Sequence, residues 1–369
     1  MNINSYMPVK IVSGKNCLKK NINLLAKMGK RCLIVTGGSS AKLSGALTDA
    51  ENALKESGIE YEIFDGITQN PYTADCHRAG DIARKVGADF IFGIGGGSPL
   101  DAAKAVAIYA ANEELAPADI YSGDYKNKPI PVALIGTTAG TGSELTGVSV
   151  LTDSDTDMKK SISGENCYAA VSFCDYTYTM SVPYSVTVST CLDAFAHAVE
   201  SYLSTTSNDM SDLYCEKVFS MLGNILADFY NHKKLPDENT RETLYIASLF
   251  AGLAINITGT CFPHAVGYVL TEDFNIPHGR ACAAFLPDFI DFCADACSEK
   301  TEKMFSILDM SKDYLKTVLN ALADVKITVS DEQLERYAKR WSLPVKNFSR
   351  TPGSFTGETA VKVISKYKS

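Results

Sequence analysis

The sequence predicts a chain of two parts: an α/β N-terminal domain with a parallel sheet and flanking helices, residues 1–183, then an all-helical C-terminal domain, residues 184–369. Three observations carry this. Short apolar runs alternate with helical periodicity through the first half, the pattern of strands joined by crossover helices. Loops of small residues follow several of those runs, at the strand ends where parallel sheets bind ligands. Strand signals nearly vanish after Pro183, and helical spacing takes over.

The elements follow in order. RCLIVT (31–36) is a buried strand that runs into the turn GGSS. Residues 43–57 carry helical spacing and stop at Gly58. YEIFDG (61–66) is a second strand, and 74–86 a second helix. A third strand, 90–94, ends in glycines, and a fourth, 132–135, leads into TTAGTGSE. Beyond the boundary, helical periodicity covers 190–204, 209–230, 241–257, 281–297, 313–324, 331–341 and 357–366.

Composition limits the function. A length of 369 residues suits two domains, and 46% hydrophobic with 21% charged residues is the balance of a soluble globular protein. A net charge of −8 without a long basic run speaks against nucleic acid as a partner. The 11 cysteines are scattered and form no C-x-x-C pair, so they read as reduced thiols. The N-terminus lacks a signal-peptide pattern, and no apolar run reaches the roughly 18 residues of a membrane span. The expectation is a cytoplasmic protein with a soluble partner and no membrane contact.

GGGSPLDAAK (95–104) follows the third strand and opens a helix. Its glycines allow close backbone approach, Ser98 suits an N-cap, Pro99 the first helical position, and Asp101 lies three beyond the cap. Such a helix start attracts anions through its free N–H groups, and a pyrophosphate fits there. The loop is neither the Rossmann G-x-G-x-x-G nor a P-loop. TTAGTGSE (137–144) suits phosphate, ribose or amide contacts, although a plain loop explains it as well.

The chain has five histidines. In LDAFAHAVE, Asp193 and His197 are four apart and share a helix face. His264 and His278 follow, fourteen apart, with Pro277 and Gly279 around the second. One carboxylate and three imidazoles suit Fe(II) or Zn(II) rather than Ca²⁺ or Mg²⁺. The competing reading is an ordinary salt-bridge or capping pair. His77 and His232 lie in polar, helical-surface contexts.

With these pieces assembled, the chain resembles the iron-containing (group III) alcohol dehydrogenases, along VTGGSS, FDGITQNPYT, GGGSPLDAAK, TTAGTGSE, CLDAFAHAVESYLS, the His264/His278 stretch and RTPGSFT. The resemblance implies a dehydroquinate synthase-like architecture with an N-terminal dinucleotide-binding domain and a metal in the cleft beside a helical domain. It implies metal binding by Asp193, His197, His264 and His278. Cofactor contacts are implied for Gly37, Ser39 and Asn70. Gly96, Gly97, Ser98 and Asp101 would hold the pyrophosphate, and Thr137, Thr138 and Thr141 the nicotinamide side. Val150, Lys159, Thr179 and Val182 match further contacts. A homo-oligomer, at least a dimer, is also implied. Tyr268 stands where many members carry another histidine, and a phenol does not titrate near neutrality.

The expected activity is hydride transfer between a dinucleotide and a small primary alcohol, diol or aldehyde, assisted by Fe(II), Zn(II) or another divalent ion. NADP is expected over NAD. The segment Thr36-Gly37-Gly38-Ser39-Ser40 lacks the acidic residue that would repel a 2′-phosphate, Gly37 is expected to leave space, and Lys42 is near. Alternatives are a polyol (glycerol-type) dehydrogenase on the same fold and a non-catalytic protein that binds nucleotide and metal. Turnover separates the last from the others.

Overall fold

The computed structural model describes residues 3–368. The chain divides into two compact units: Tyr6–Val182 together with Asp237–Leu249, and Pro183–Pro236 with the chain from Phe250 onward. The short segment 237–249 thus groups with the sheet-containing unit, although it lies beyond residue 183.

Eight strands belong to the first unit: β1 (Lys10–Ser13), β2 (Arg31–Val35), β3 (Glu60–Phe64), β4 (Phe90–Gly95), β5 (Val132–Gly136), β6 (Val148–Thr152), β7 (Lys159–Ser163) and β8 (Val171–Cys174). Six form one parallel sheet in the order β1-β8-β5-β4-β2-β3. β4 and β5 are buried throughout, as strands covered on both faces must be, and both read as continuous apolar runs. On one face Ile34, Phe92, Ile94, Ile135 and Phe173 pack with Leu47, Ala50 and Leu54 of the helix Ala46–Glu56. Each such side chain contributes about 1.5–3 kcal/mol by leaving water. β3 lies on one side of β2 and β4 on the other, so the winding reverses there. The carboxyl ends of β2 and β4 flank that switch point, the place where open α/β sheets take ligands.

Three features depart from the sequence reading. The sheet has two further strands, β1 and β8, each of four residues. β6 and β7 form a separate antiparallel hairpin, pairing Val150 with Ser161 and Thr152 with Lys159. The helix after β4 spans Gly97–Ala111 with Gly96 as its N-cap. Ser98 is therefore inside the first turn rather than capping it, and its hydroxyl accepts from the Asn70 N–H at 3.2 Å.

The second unit is helical. Its central helix, Tyr184–Leu203, buries sixteen of its residues in succession or nearly so, from Thr187 to Leu203. A helix apolar nearly all round belongs in a core. Asn208 and Ser330 each form a capping box. The stretch expected as one helix over 281–297 is instead the end of His278–Ala283 followed by Leu286–Cys293 with Pro287 in its first turn, and a further helix covers Ser298–Leu308. Phe262–Phe274, which carries His264, is also helical. Of the 11 cysteines, ten are buried and Cys297 is half-buried, all as free thiols.

Candidate functional site

The second unit brings the four expected donors together. Asp193 and His197 lie one turn apart on Tyr184–Leu203, His264 on Phe262–Phe274, and His278 at the start of His278–Ala283. Three ring nitrogens surround one oxygen: Asp193 Oδ1 lies 3.8 Å from His197 Nε2 and 3.7 Å from both His264 Nε2 and His278 Nε2. These separations exceed a hydrogen bond. They match donors set about a common ion, whose tetrahedral edges are roughly 3.5 Å for bonds of about 2.1 Å. Asp193 Oδ1 and His264 Nε2 are buried and have no hydrogen-bond partner among the described residues. Buried polar atoms nearly always have a partner, whether protein, water or an ion. Burial pushes the Asp193 carboxyl up, but His197, His278 and His264 outweigh it and hold the group well below the usual carboxylate range. Asp193, His197 and His264 are nearly inaccessible, while the His278 side chain is 29% exposed and forms the open side.

A missing side chain sets the position of His278. A Cβ on Gly279 would fall 1.8 Å from the Ser189 carbonyl oxygen and 2.9 Å from Asp193 Cβ. Only glycine lets the helix His278–Ala283 lie this close to Tyr184–Leu203, and that approach carries His278 to Asp193. Tyr268 stacks on His278, with ring centroids 5.7 Å apart and planes at 20°. Burial pushes its phenol up to about 12.

Two residues that the sequence reading passed over join this cluster. Cys282 Sγ lies with donor atoms of Asp193, His264 and His278, all within 4.8 Å of one another, a set that does not include His197. Burial pushes its thiol up to about 11. Glu200, wholly buried, lies in hydrogen-bond contact with His264 Nδ1, 2.5 Å from its Oε1. It falls at i+7 from Asp193, on the same helix face, and that spacing was the available signal.

The first unit gathers most of the expected dinucleotide residues at the carboxyl edge of its sheet. Cβ atoms on Gly96 and Gly97 would lie 3.3 Å from Thr138 Oγ1 and 2.6 Å from Thr141 Cγ2, so the loops after β4 and β5 touch. No side chain caps the helix at Gly96. Among the described residues, Thr137 Oγ1, just after β5, is buried without a hydrogen-bond partner, and so is Thr36 Oγ1 just after β2. Asn70, with φ of 58°, joins this edge through Ser98 and through its carbonyl, which accepts from Thr152 Oγ1 at 3.1 Å. Val150 and Lys159 lie on the hairpin that Thr152 ties to it.

Other expected contacts point elsewhere. The Asp101 carboxylate accepts from Ser143 Oγ at 2.5 Å and Val150 N at 3.0 Å, and it lies 3.7 Å from Lys104 Nζ. It thereby anchors the hairpin and the loop after β5. Lys104, 1% exposed, donates to Ser143 Oγ, Thr146 O and Val148 O at 2.9, 3.0 and 2.7 Å. Burial lowers its pKa and raises that of Asp101. Thr179 is buried and donates to Tyr176 O, and the Val182 carbonyl accepts from Arg241. Gly37 leaves no space: it bridges Gly66, and a Cβ there would fall 1.7 Å from Ile67 O. Ser39, by contrast, is exposed at the start of Ser40–Leu43 and makes no cap bond.

A family model described as iron-containing alcohol dehydrogenase matches residues 8–176, and the model for the C-terminal part of that family matches 187–334. A sulfoacetaldehyde reductase from Bilophila wadsworthia (strain 3_1_6) is 32% identical over 88% of this chain and 84% of its own. An NADPH-dependent butanol dehydrogenase from Clostridium saccharobutylicum is 30% identical over 86% and 81%. The crystal structure of an iron-containing alcohol dehydrogenase from Thermotoga maritima superimposes with a TM-score of 0.90 at 34% identity, covering 99% of both chains. The chain belongs to the iron-containing alcohol dehydrogenase family, as an NAD(P)-dependent oxidoreductase of alcohols and aldehydes.

Proposed function

We propose that Asp193, His197, His264 and His278 hold the catalytic metal, Fe(II) by family with Zn(II) accepted by the same donors, and that the enzyme prefers NADP(H). The convergence of three imidazole nitrogens on the partnerless Asp193 Oδ1 carries the first part. A divalent ion there supplies Lewis acidity toward a carbonyl or alcohol oxygen, and the nicotinamide supplies or accepts the hydride. The chain's own residues do the rest. Asp193 offers one carboxylate oxygen to the cluster, and the exposed edge of His278 marks the side open to substrate. Tyr268 shields one face of that ring and keeps its phenolic proton below about pH 12, so it serves as a donor and not as a base. The free N–H groups at Gly97 and Ser98 and the Thr137 hydroxyl offer donors to phosphate and ribose oxygens. Gly96, Thr138, Thr141, Asn70, Val150 and Lys159 line the same edge, and Asp101 acts through Val150 and Ser143.

The absence of an acidic residue over 36–40 supports NADP, as do the exposed Ser39 hydroxyl and the nearby Lys42, whose partner Asp65 is 3.6 Å away and largely exposed. The Clostridium relative carries that dependence in its name. Small primary alcohols, diols and aldehydes are the substrate class. We further propose residence in the cytoplasm, supported by eleven free thiols, and a homo-oligomer of at least two chains. A sedimentation mass of one 39.9 kDa chain at micromolar concentration contradicts the latter.

The deciding experiment strips the metal with a chelator and adds back Fe(II) or Zn(II), with a panel of short alcohols, diols and aldehydes and both dinucleotides. Activity should disappear and return, and His197→Ala should lose metal binding while remaining folded. Full activity of His197→Ala in metal-free buffer contradicts the assignment.

A further inference from the structure

His264 is held from behind. Its Nδ1 lies in hydrogen-bond contact with Glu200 Oε1 at 2.5 Å, and Glu200 Oε2 accepts from the Cys261 backbone N–H at 2.7 Å. Glu200 is 0% exposed. A carboxyl group this deep is costly to desolvate unless its oxygens are satisfied, and replacing a buried ionic group by apolar residues is often neutral or better for stability. Its place therefore calls for a use other than packing. Asp193, His197 and Glu200 follow one another at i, i+4 and i+7 on one helix face, so the carboxyl continues the stripe that carries the donors.

The turn that bears His264 is also clamped by the C-terminal segment. Phe262 N donates to Thr351 Oγ1 at 3.1 Å, and Asn347 Nδ2 donates to Thr260 Oγ1 at 2.8 Å. Glu200 connects the ring to that anchored turn. A neutral imidazole carries one N–H, and the partner of that N–H decides which nitrogen keeps its lone pair. An ionised carboxylate can only accept, which puts the proton on Nδ1 and leaves Nε2, without a hydrogen-bond partner among the described residues, facing Asp193 Oδ1 at 3.7 Å.

We infer that Glu200 is a positioning residue for the metal: it holds His264 in the Nδ1–H tautomer, aims Nε2 into the donor cluster, and strengthens that nitrogen as a ligand. This rests on the metal site proposed above. The test is Co(II) affinity of the full chain, measured by competition with a chromophoric chelator, alongside thermal unfolding of the metal-stripped protein. Glu200→Gln keeps the shape and one acceptor oxygen but removes the charge. Its Co(II) affinity should fall by roughly 10–100-fold, the range for losing a partner behind a ligand, and Glu200→Asp should recover part of the loss. The metal-stripped melting temperature should change far less than the metal-loaded one. Wild-type Co(II) affinity in a normally folded Glu200→Gln overturns the inference. Failure of the wild type to bind Co(II) overturns instead the metal reading beneath it. Should Glu200→Gln not fold, the wild type still answers through ¹⁵N-histidine NMR with Zn(II) bound. Five imidazoles are few enough to assign by single substitutions. His264 should show a proton on Nδ1 and metal on Nε2, and metal on Nδ1 refutes the proposal.

Discussion

Gly279→Ala is the sharpest probe of how the donor cluster is assembled. The added methyl carbon would start 1.8 Å from the Ser189 carbonyl oxygen and 2.9 Å from Asp193 Cβ. The first obstacle is backbone in the middle of Tyr184–Leu203, which cannot rotate aside as a side chain can. The helix His278–Ala283 must therefore retreat by more than about 1 Å to regain ordinary contact. Overpacking of this kind costs about 1–3 kcal/mol, and a backbone obstacle puts it at the upper end. For a unit of this size that corresponds to a drop of roughly 6–12 °C in melting temperature. His278 starts the displaced helix, so its Nε2 should move off from Asp193 Oδ1 and the ion should lose a donor. The assay pairs the unfolding of metal-stripped protein with a Co(II) titration of the same sample. Both values should fall. A variant that melts and binds like the wild type would show that the two helices do not touch through Gly279, and the account of how His278 is placed would be wrong.

Other predictions follow from the first unit. Ser39→Asp should lower the ratio of kcat/KM for NADPH over NADH by about tenfold or more, because a lost charge-assisted hydrogen bond is worth about 1.5–3 kcal/mol, whereas Gly37→Asp should destabilise the chain against Ile67 O; an unchanged ratio in a folded Ser39→Asp counts against the cofactor assignment. Lys104→Met removes the hydrogen bonds of a buried ammonium to Ser143, Thr146 and Val148 and leaves Asp101 without its cation, so it should cost about 3–5 kcal/mol in urea unfolding and raise KM for the dinucleotide, and an unchanged midpoint speaks against the role given to Lys104. Burial raises the pKa of Glu144, whose Oε1 accepts from Tyr245 at 3.0 Å. Its protonated form is thus favoured in the folded chain, and the contribution is complete below the ordinary value of 4.5 and lost as pH rises through the elevated one. Glu144→Gln should flatten that part of the stability profile, and a curve parallel to the wild type would count against it.

Much of this was legible in the sequence because it is local. Strands such as VALIG announce themselves by apolar continuity, and Asp193 and His197 by a one-turn spacing. What escaped depends on distant partners. KIVS and VSFC are too short to read as strands until each is seen beside the other. The helix that carries His264 was not among those expected, and it contains Pro263 and Gly267, residue types that disfavour a helix interior. Pro263 lies in the first turn, where proline costs nothing, and a Cβ on Gly267 would lie 3.1 Å from the backbone at Ala281 and Cys282, so its glycine serves packing. Gly37 was read as open space, yet the chain folds Ile67 directly against it. Glu200 offered only its i+7 spacing from Asp193, and Cys282 and Lys104 carry no local signal of function, because the tertiary structure alone supplies their partners.

The pairing of β1 with β8 also fixes an order of events during synthesis. Lys10 lies opposite Val171, and segment 237–249 completes the same unit. On a ribosome that adds about 5–20 residues per second, the first strand waits on the order of ten seconds for its only neighbour in the sheet to be made. Until then the edge of β5 that β8 will occupy stands open, and both it and the unpaired edge of β1 need protection from stray pairing.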